Sequence, residues 1–188
     1  MFDILDEAPQ HCGAREALLD LCFGLDRREK TSERLREGRV PAFAFSAVTG
    51  EGELAGTVRL WLVRDHAERV ALLLGPLAVA PQLRGRKAGD RLVRHALTRA
   101  AIGGFGSVLL VGDLAYYRRF GFAPGLLDRA ALPGPVDRHR FLAADLIPGH
   151  AATLTGCLKA AGDLCPSGTG TGLSEHLLLP RRGRSRSG

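Results

Sequence analysis

Residues 70 to 79, VALLLGPLAV, are apolar at nearly every position. A strand of this kind has no polar face to turn towards water, so we expect it at the centre of a sheet with both faces buried. Gly75 and Pro76 interrupt the run, because proline has no amide hydrogen for the ladder and glycine favours an irregular backbone. The sequence therefore predicts a bulge in the middle of this strand and a gap in the sheet beside it.

Strand-like and helix-like segments alternate around this run. Apolar residues recur at helical spacing from Ala14 to Cys22, and a second short helix is predicted over residues 29–36. Two apolar runs separated by TGEGE, within residues 43–63, predict an antiparallel hairpin. Further strands are predicted at FDIL, SVLLV and RFLAADLI. The pattern is that of a mixed α/β domain.

The loop APQLRGRKAG follows the apolar strand and leads into a helix with one apolar stripe. Free amides at a helix N-terminus, the helix dipole and small residues make such a loop an anion site, and Arg84, Arg86 and Lys87 add positive charge. It matches neither GxxxxGK[ST] nor GxGxxG, which leaves a phosphate on some other carrier. A solvated basic turn is the alternative interpretation.

The blocks LGPLAVAPQLRGRKAGDRLVRHAL and VLLVGDLAYYRRFGF closely resemble the core of the GNAT-superfamily N-acetyltransferases. The resemblance covers roughly residues 2–150 and is strongest from Leu73 to Phe122. It implies a mixed α+β fold, with a central, mostly antiparallel twisted sheet splayed between strands four and five and helices on both faces. It also implies transfer of an acetyl group from acetyl-CoA to an amine by direct attack, with no metal.

The same resemblance implies which residues bind the co-substrate. In the family a loop of the form Q/R-x-x-G-x-G/A wraps the pyrophosphate of CoA, and Lys87 stands where that pattern has glycine. If this position needs a positive φ, the loop must adjust. The implied CoA-binding residues, including a strand segment that pairs with pantetheine, are Leu77, Ala78, Val79, Arg84, Gly85, Arg86, Lys87, Ala88, Gly89 and Asp90.

Tyr117 matches the tyrosine that many family members use as general acid. A CoA thiol has a reference pKa of about 8.5 and a phenol about 10, so a tyrosine can hold its proton and either hydrogen-bond to the leaving sulfur or donate to it. Packing of Tyr117 against the sheet is the alternative. No general base is evident: Asp113 is as readily a helix N-cap, and His66 and His139 fall on predicted loops. Proton removal through a chain of water molecules, or an acceptor amine of low pKa, is equally possible.

The acceptor is a primary amine of a small molecule or of a protein, and the sequence does not identify it. In the third predicted strand Arg59 and Trp61 share one face and could line an acceptor pocket, whereas a solvated strand face is the alternative.

Composition sets the remaining expectations. With 45% hydrophobic and 24% charged residues the chain has a globular core, which we place in a domain of residues 1–150. Residues 151–188 are rich in Gly, Ser and Arg and predict a disordered tail. The four cysteines form no CxxC pair and are expected to be reduced. With no membrane-length apolar run and no leader in MFDILDEAPQ, a cytoplasmic protein is expected.

Two other function classes stay open. A non-catalytic acyl-CoA-binding or regulatory module, motivated by Lys87 and the missing base, would bind CoA without turnover. Nucleic-acid binding would use the arginines of the tail, which supply much of the net charge of +6. It ranks last because the tail has no aromatic residue for stacking. An unpaired edge on the final strand leaves a homodimer open.

Overall fold

The structure is a computed structural model that describes residues 2–165. The strands are β1 Phe2–Asp6, β2 Phe43–Thr49, β3 Leu54–Arg64, β4 Val70–Val79, β5 Ser107–Val111, β6 Ala130–Ala131, β7 Phe141–Asp145, β8 Gly156–Cys157 and β9 Lys159–Ala160. The α-helices are α1 Cys12–Phe23, α2 Ala88–Ile102, α3 Leu114–Tyr117 and α4 His150–Thr153. Short 3-10 helices occupy Pro9–His11, Leu25–Glu29, Thr31–Leu35, Pro81–Leu83, Arg118–Phe120 and Arg138–Arg140.

One sheet in the order β1-β2-β3-β4-β5-β7 organises the fold, and β9 adds to the end of β3. The neighbours are antiparallel except β4 and β5, which are parallel. The hairpin of β2 and β3 and the central place of β4 follow the sequence pattern. The predicted mixed fold with a mostly antiparallel sheet is confirmed.

Helices cover both faces of this sheet. Leu92 of α2 is fully buried in one apolar cluster, against which Leu77 and Val79 of β4 pack. Leu18 of α1 belongs to another cluster, together with Ala78 of β4. Successive strand residues point to opposite faces, so this alternation along β4 places α1 and α2 on opposite sides. Each fully buried leucine contributes about 1.5–3 kcal/mol to folding.

The segment between α1 and β2 differs from its prediction. The predicted helix over residues 29–36 was wrong, because Leu25–Glu29 and Thr31–Leu35 form two separate 3-10 helices. Lys30 lies between them with an extended backbone, at φ −65° and ψ 141°. Leu35 is the one buried residue in these two helices, too little to hold a continuous amphipathic helix against the sheet.

Residues 151–165 pack onto the domain, beyond the boundary predicted near residue 150. Ala151, Leu154 and Leu158 are at most 1% exposed and belong to one buried cluster. The backbone N–H of Thr155 donates to the buried carboxylate of Asp65 at 3.0 Å. The expectation of a disordered tail is therefore corrected for this segment. The rest of the predicted tail, residues 166–188, lies outside the described residues.

The outer edge of β7 is partly covered within the chain. Ala123 and Ala143 exchange two backbone hydrogen bonds, of 2.9 and 3.1 Å. The unpaired edge of the final strand is therefore shorter than expected, and the homodimer stays a prediction. Within residues 2–165, no helix combines the length and the apolar character needed to cross a bilayer.

Candidate active site

The two parallel strands separate soon after they meet. β4 and β5 pair at two positions, Leu72 with Val108 and Leu73 with Leu109. Beyond them β4 continues to Val79 with β3 on one side, and within residues 2–165 no strand pairs with its other edge. An edge of this kind can accept an extended ligand as an added strand. The gap predicted beside the Gly75–Pro76 interruption is present.

The interruption itself forms a bulge opposite β3. Gly75 has φ +134°, and the register between β3 and β4 shifts at this level. The indole Nε1 of Trp61 donates to the carbonyl oxygen of Gly75 at 2.6 Å, which holds the bulge against β3. Since Pro76 has no N–H, Leu77 supplies the first backbone donor after the bulge.

The loop between β4 and α2 presents free backbone donors. Among the described residues, no hydrogen bond accepts the N–H of Gly85, Lys87, Ala88, Gly89 or Asp90. These amides belong to the loop and to the first turn of α2, where the helix dipole adds positive potential. The side chains of Arg84, Arg86 and Lys87 are exposed and make no ion pair within residues 2–165. The arrangement is that of an anion-binding helix N-terminus.

Lys87 occupies a left-handed conformation directly before α2, with φ +62° and ψ 15°. This conformation costs a residue with a Cβ atom about 1–2 kcal/mol. The position therefore does require a positive φ, and lysine adopts it while α2 still begins at Ala88.

The first turn of α2 packs closely on the segment after β5. A Cβ atom on Gly89 would lie 2.6 Å from the Tyr116 hydroxyl, so a side chain at this position would collide with it. That hydroxyl donates to Asp90 Oδ1 at 3.2 Å, and Arg119 lies 3.6 Å from Asp90 Oδ2. Burial, together with the nearby charge of Asp90, raises the pKa of Tyr116. The Asp90 carboxylate thus forms a hydrogen bond and an ion pair within the protein, and these contacts link α2 to α3 and the turn after it.

A cleft of about 660 Å³ runs along the split between the strands. Its walls combine the free edge of β4, the basic loop and the aromatic pair of α3. The lining residues are Cys22, Phe23, Leu77, Ala78, Val79, Leu83, Arg84, Gly85, Lys87, Ala88, Gly89, Asp90, Asp113, Tyr116, Tyr117 and Arg119. A volume between 300 and 1,000 Å³ is typical of a small-molecule or cofactor site.

A second cavity, of about 640 Å³, opens on the other side of the split. Its lining includes Leu73 to Leu77 of β4, the end of β5 and the residues after it from Val111 to Asp113, and the 3-10 helices that precede β2. Phe23, Leu77, Asp113 and Tyr117 line both this cavity and the cleft. The two spaces therefore meet at the bulge.

Tyr117 stands at that meeting point. Its ring packs edge-on against Tyr116 and Phe122, with centroid distances of 4.9 and 5.7 Å. Gly112 leaves room for the ring, because a Cβ atom there would collide with it. Burial raises the pKa of Tyr117 to about 12. The phenol is therefore neutral at physiological pH.

Comparison with known proteins identifies the family. Residues 42–124, which include the split, the basic loop and Tyr117, match the family model of the acetyltransferase (GNAT) domain. The uncharacterized N-acetyltransferase YhbS of Escherichia coli K12 is 32% identical over 117 residues, which cover 62% of this chain and 70% of YhbS. The chain belongs to the GNAT acetyltransferase family.

Other similar proteins support the assignment to this family. The uncharacterized N-acetyltransferase YjhQ of E. coli K12 is 32% identical over 92 residues, 47% of this chain, and the match spans about half of its own length (51%). The crystal structure of E. coli YhbS in complex with CoA superposes with a TM-score of 0.72 at 27% identity, covering 85% of this chain and 89% of that one. A GNAT acetyltransferase of Brucella melitensis, at 24% identity and a TM-score of 0.55, shares the fold.

The GNAT fold brings one of the three candidate bases to the cleft. Asp113 lines both cavities, and its carboxylate accepts the N–H of Ala115 at 2.9 Å as the N-cap of α3. His66 lies elsewhere, with Nδ1 3.0 Å from the carbonyl oxygen of Thr155, and His139 lies in an exposed 3-10 turn. Neither histidine lines either cavity.

Arg59 and Trp61 lie beside the second cavity, lining an adjoining one of about 290 Å³. The Arg59 guanidinium binds both carboxylate oxygens of Glu7, with Nε 3.0 Å from Oε2. Its charge is therefore already compensated by a buried partner. Trp61 is 6% exposed, so this strand face is not the solvated one that the alternative interpretation required. A role in acceptor binding stays a prediction for both residues.

Several residues of the site had no sequence signal. Phe23, Arg36 and Asp137 line the second cavity and come from segments distant in the chain. Arg36 follows a charge-rich stretch that is typical of solvated surface, and its burial depends on tertiary packing. Within residues 2–165, no group of His, Cys, Asp and Glu side chains is placed to hold a metal ion.

Proposed function

We propose that this GNAT protein binds acetyl-CoA in the 660 Å³ cleft and transfers its acetyl group to a primary amine in the 640 Å³ cavity. The observation that carries the proposal is the meeting of the two spaces at Tyr117 and the β4 bulge. A thioester held there would be open to attack from the second cavity, without a covalent enzyme intermediate.

The co-substrate would be held largely by backbone groups. Pantetheine amides would pair with the free edge of Leu77, Ala78 and Val79, and the pyrophosphate would accept the free N–H groups between Gly85 and Asp90. Arg84, Arg86 and Lys87 would add ionic contacts to the phosphates. Support comes from the relative YhbS, whose crystal structure contains CoA.

In the proposed reaction, the amine nitrogen attacks the thioester carbon and forms a tetrahedral intermediate. The N–H of Leu77 is positioned to stabilise the oxyanion. The C–S bond then breaks, the Tyr117 hydroxyl donates a hydrogen bond to the departing thiolate, and the nitrogen gives up its proton to water or to Asp113. Because the pKa of Tyr117 is raised to about 12, well above that of a thiol at about 8.5, the phenol keeps its proton and stabilises the thiolate through this hydrogen bond.

The cytoplasm is the proposed compartment. All four cysteines lie within the described residues and all are free thiols, as expected in a reducing environment.

A free-thiol assay with acetyl-CoA and a panel of primary amines tests the proposal. We expect amine-dependent CoA release, and about a hundredfold lower kcat in Tyr117→Phe with little change in the affinity for acetyl-CoA. Arg129→Gln serves as control, since Arg129 is exposed and lines neither cavity. Saturable acetyl-CoA binding without CoA release for any amine would instead favour the non-catalytic module.

A further inference from the structure

The second cavity contains a buried cation whose hydrogen bonds are incomplete. The Arg36 side chain is 11% exposed, and its Nε has no hydrogen-bond partner among the described residues. Its Nη2 donates to Ser32 Oγ, and its Nη1 lies 3.5 Å from Glu33 Oε2. A guanidinium stays protonated in proteins, and a buried charge is costly unless it is paired and hydrogen-bonded. One long contact to Glu33 leaves this requirement partly unmet.

Arg36 lies beside the reacting end of the cleft. A Cβ atom on Gly75 would be 3.9 Å from Arg36 Nη2, so the guanidinium flanks the bulge of β4. Arg36 lines the second cavity together with Tyr117. When a small amine reaches the thioester from this cavity, its other end therefore lies in a space that Arg36 also lines.

The other basic residues of the second cavity differ in how far acidic partners balance their charges. Arg27 is bound by Glu16 at 2.5 Å and by Asp20 at 2.7 Å. Lys30 and Arg140 make no ion pair within residues 2–165 and lie nearer the surface. Arg36 is thus the buried cation of this cavity whose charge is least compensated.

Acidic residues line the same cavity. Asp113 and Asp137 accept backbone N–H groups at the starts of short helices, and Glu29 and Glu33 come from the segment before β2. These carboxylates favour an ammonium group and disfavour a dianion such as a phosphate monoester. The cavity therefore combines carboxylates that attract a positive charge with two buried cations, of which Arg27 has two carboxylate partners and Arg36 has one long contact.

On the basis of the proposed function, we propose that the acceptor is a small amine that also carries a carboxylate, and that this carboxylate pairs with Arg36. A guanidinium presents planar pairs of N–H donors that match the two oxygens of a carboxylate, and the two Nη groups of Arg36, each with one contact, retain N–H donors for such a pair. The ammonium end lies among the acidic side chains before it loses its proton and attacks. Arg36 is a binding residue in this scheme and takes no part in proton transfer.

Matched acceptors test the inference in the wild-type protein. The probes are glycine beside glycinamide and 4-aminobutanoate beside 4-aminobutanamide, with O-phosphoethanolamine as the phosphate-bearing probe. We expect kcat/KM to be at least tenfold higher for one or both carboxylates than for the matching amide. Equal rates within each pair, or a higher rate for the phosphate probe, would overturn the inference.

Variants then assign the preference to Arg36. Arg36→Gln should reduce the carboxylate preference at least tenfold while changing the affinity for acetyl-CoA less than twofold. Arg36→Lys keeps the charge without the planar edge and should retain an intermediate preference, which guards against a folding defect in the glutamine variant. Arg129→Gln is the control. An unchanged preference in folded Arg36→Gln would contradict the assignment.

A binding measurement separates this inference from the proposed function. 4-Acetamidobutanoate, which cannot be acetylated further at nitrogen by this route, is titrated by calorimetry into protein saturated with CoA. Wild type should bind it at least tenfold more tightly than Arg36→Gln does. Binding through Arg36 without acetylation of any amine would refute the proposed function and uphold the carboxylate site; equal binding by both proteins would refute the site.

Discussion

The indole Nε1 of Trp61 donates a 2.6 Å hydrogen bond to the carbonyl oxygen of Gly75. This bond joins β3 to the bulge of β4, where the backbone departs from regular pairing. It supplies a partner for a buried carbonyl that the interrupted ladder leaves without a regular strand partner. Trp61 thus supports the bulge that precedes Leu77, whose N–H the proposed mechanism uses.

Trp61→Phe should lower the free energy of unfolding by about 1–3 kcal/mol, because the Gly75 carbonyl loses its donor. The bulge should also loosen, so kcat is expected to fall about tenfold while the affinity for acetyl-CoA changes little. The measurements are urea unfolding and steady-state kinetics. Val63→Ala is the control: Val63 is fully buried on the same strand, so the variant should lose stability without losing kcat. Equal losses of kcat in both variants would show that Trp61 has no specific role in supporting the bulge.

Lys87→Gly should stabilise the protein by about 1 kcal/mol, since glycine adopts the left-handed conformation at φ +62° without the cost that a Cβ atom adds. Lys87→Ala removes the charge but keeps the Cβ atom, so its stability should match that of wild type. Thermal unfolding of the three proteins checks this. A glycine variant no more stable than the alanine variant would mean that the loop bears no strain at this position.

Gly89→Ala should weaken acetyl-CoA binding at least tenfold and lower the unfolding temperature, because the new methyl would lie 2.6 Å from the Tyr116 hydroxyl. Tyr116→Phe removes that oxygen, and the nearest ring carbon is then 3.8 Å away. The double variant should therefore recover stability relative to Gly89→Ala. Additive losses in the double variant would show that the collision is not the cause.

Asp65 anchors the segment after residue 150 to the sheet. Burial alone would raise its pKa, but hydrogen bonds from the backbone N–H groups of Arg69, Thr155 and Ala67 and from the Arg69 side chain lower the pKa of Asp65 to about 2. A depressed pKa adds stability that is present above about pH 4, the ordinary range of an aspartate, and is lost as the pH falls towards 2.

Asp65→Asn should therefore lower the free energy of unfolding at pH 7 by about 2 kcal/mol, because a charged acceptor is replaced by a neutral one. The variant should also lose part of the wild-type decline in stability between pH 4 and pH 2. Denaturant unfolding across that pH range measures both effects. Asp128→Asn is the control, with a side chain that is 80% exposed. A pH profile unchanged by Asp65→Asn would place the acid sensitivity elsewhere.

Local patterns in the sequence anticipate much of the site. The apolar run broken by Gly75 and Pro76 predicts a buried, bulged strand, and the basic loop before a helix predicts the free amides at Gly85 to Asp90. Both features follow from backbone chemistry within a few residues. The family resemblance adds Tyr117, which the structure places where the two cavities meet.

Features that depend on distant partners were not predictable in the same way. Nothing in the sequence around Arg59 indicates an ion-pair partner, yet Glu7, 52 residues earlier, binds its guanidinium. Leu154 and Leu158 follow Ala151 at helical spacing, but the helix ends at Thr153, so their burial depends on contacts with distant residues rather than on a helix face. The burial of Arg36 likewise results from the packing of two 3-10 helices that propensity does not specify.

Calorimetric titration of acetyl-CoA into wild type, Lys87→Glu and Arg129→Glu tests the central claim most directly. The account predicts saturable binding by wild type, at least tenfold weaker binding by Lys87→Glu, where a negative charge enters the proposed pyrophosphate site, and unchanged binding by Arg129→Glu. Absence of saturable binding by wild type, or equal affinities for all three proteins, would contradict the placement of acetyl-CoA in this cleft.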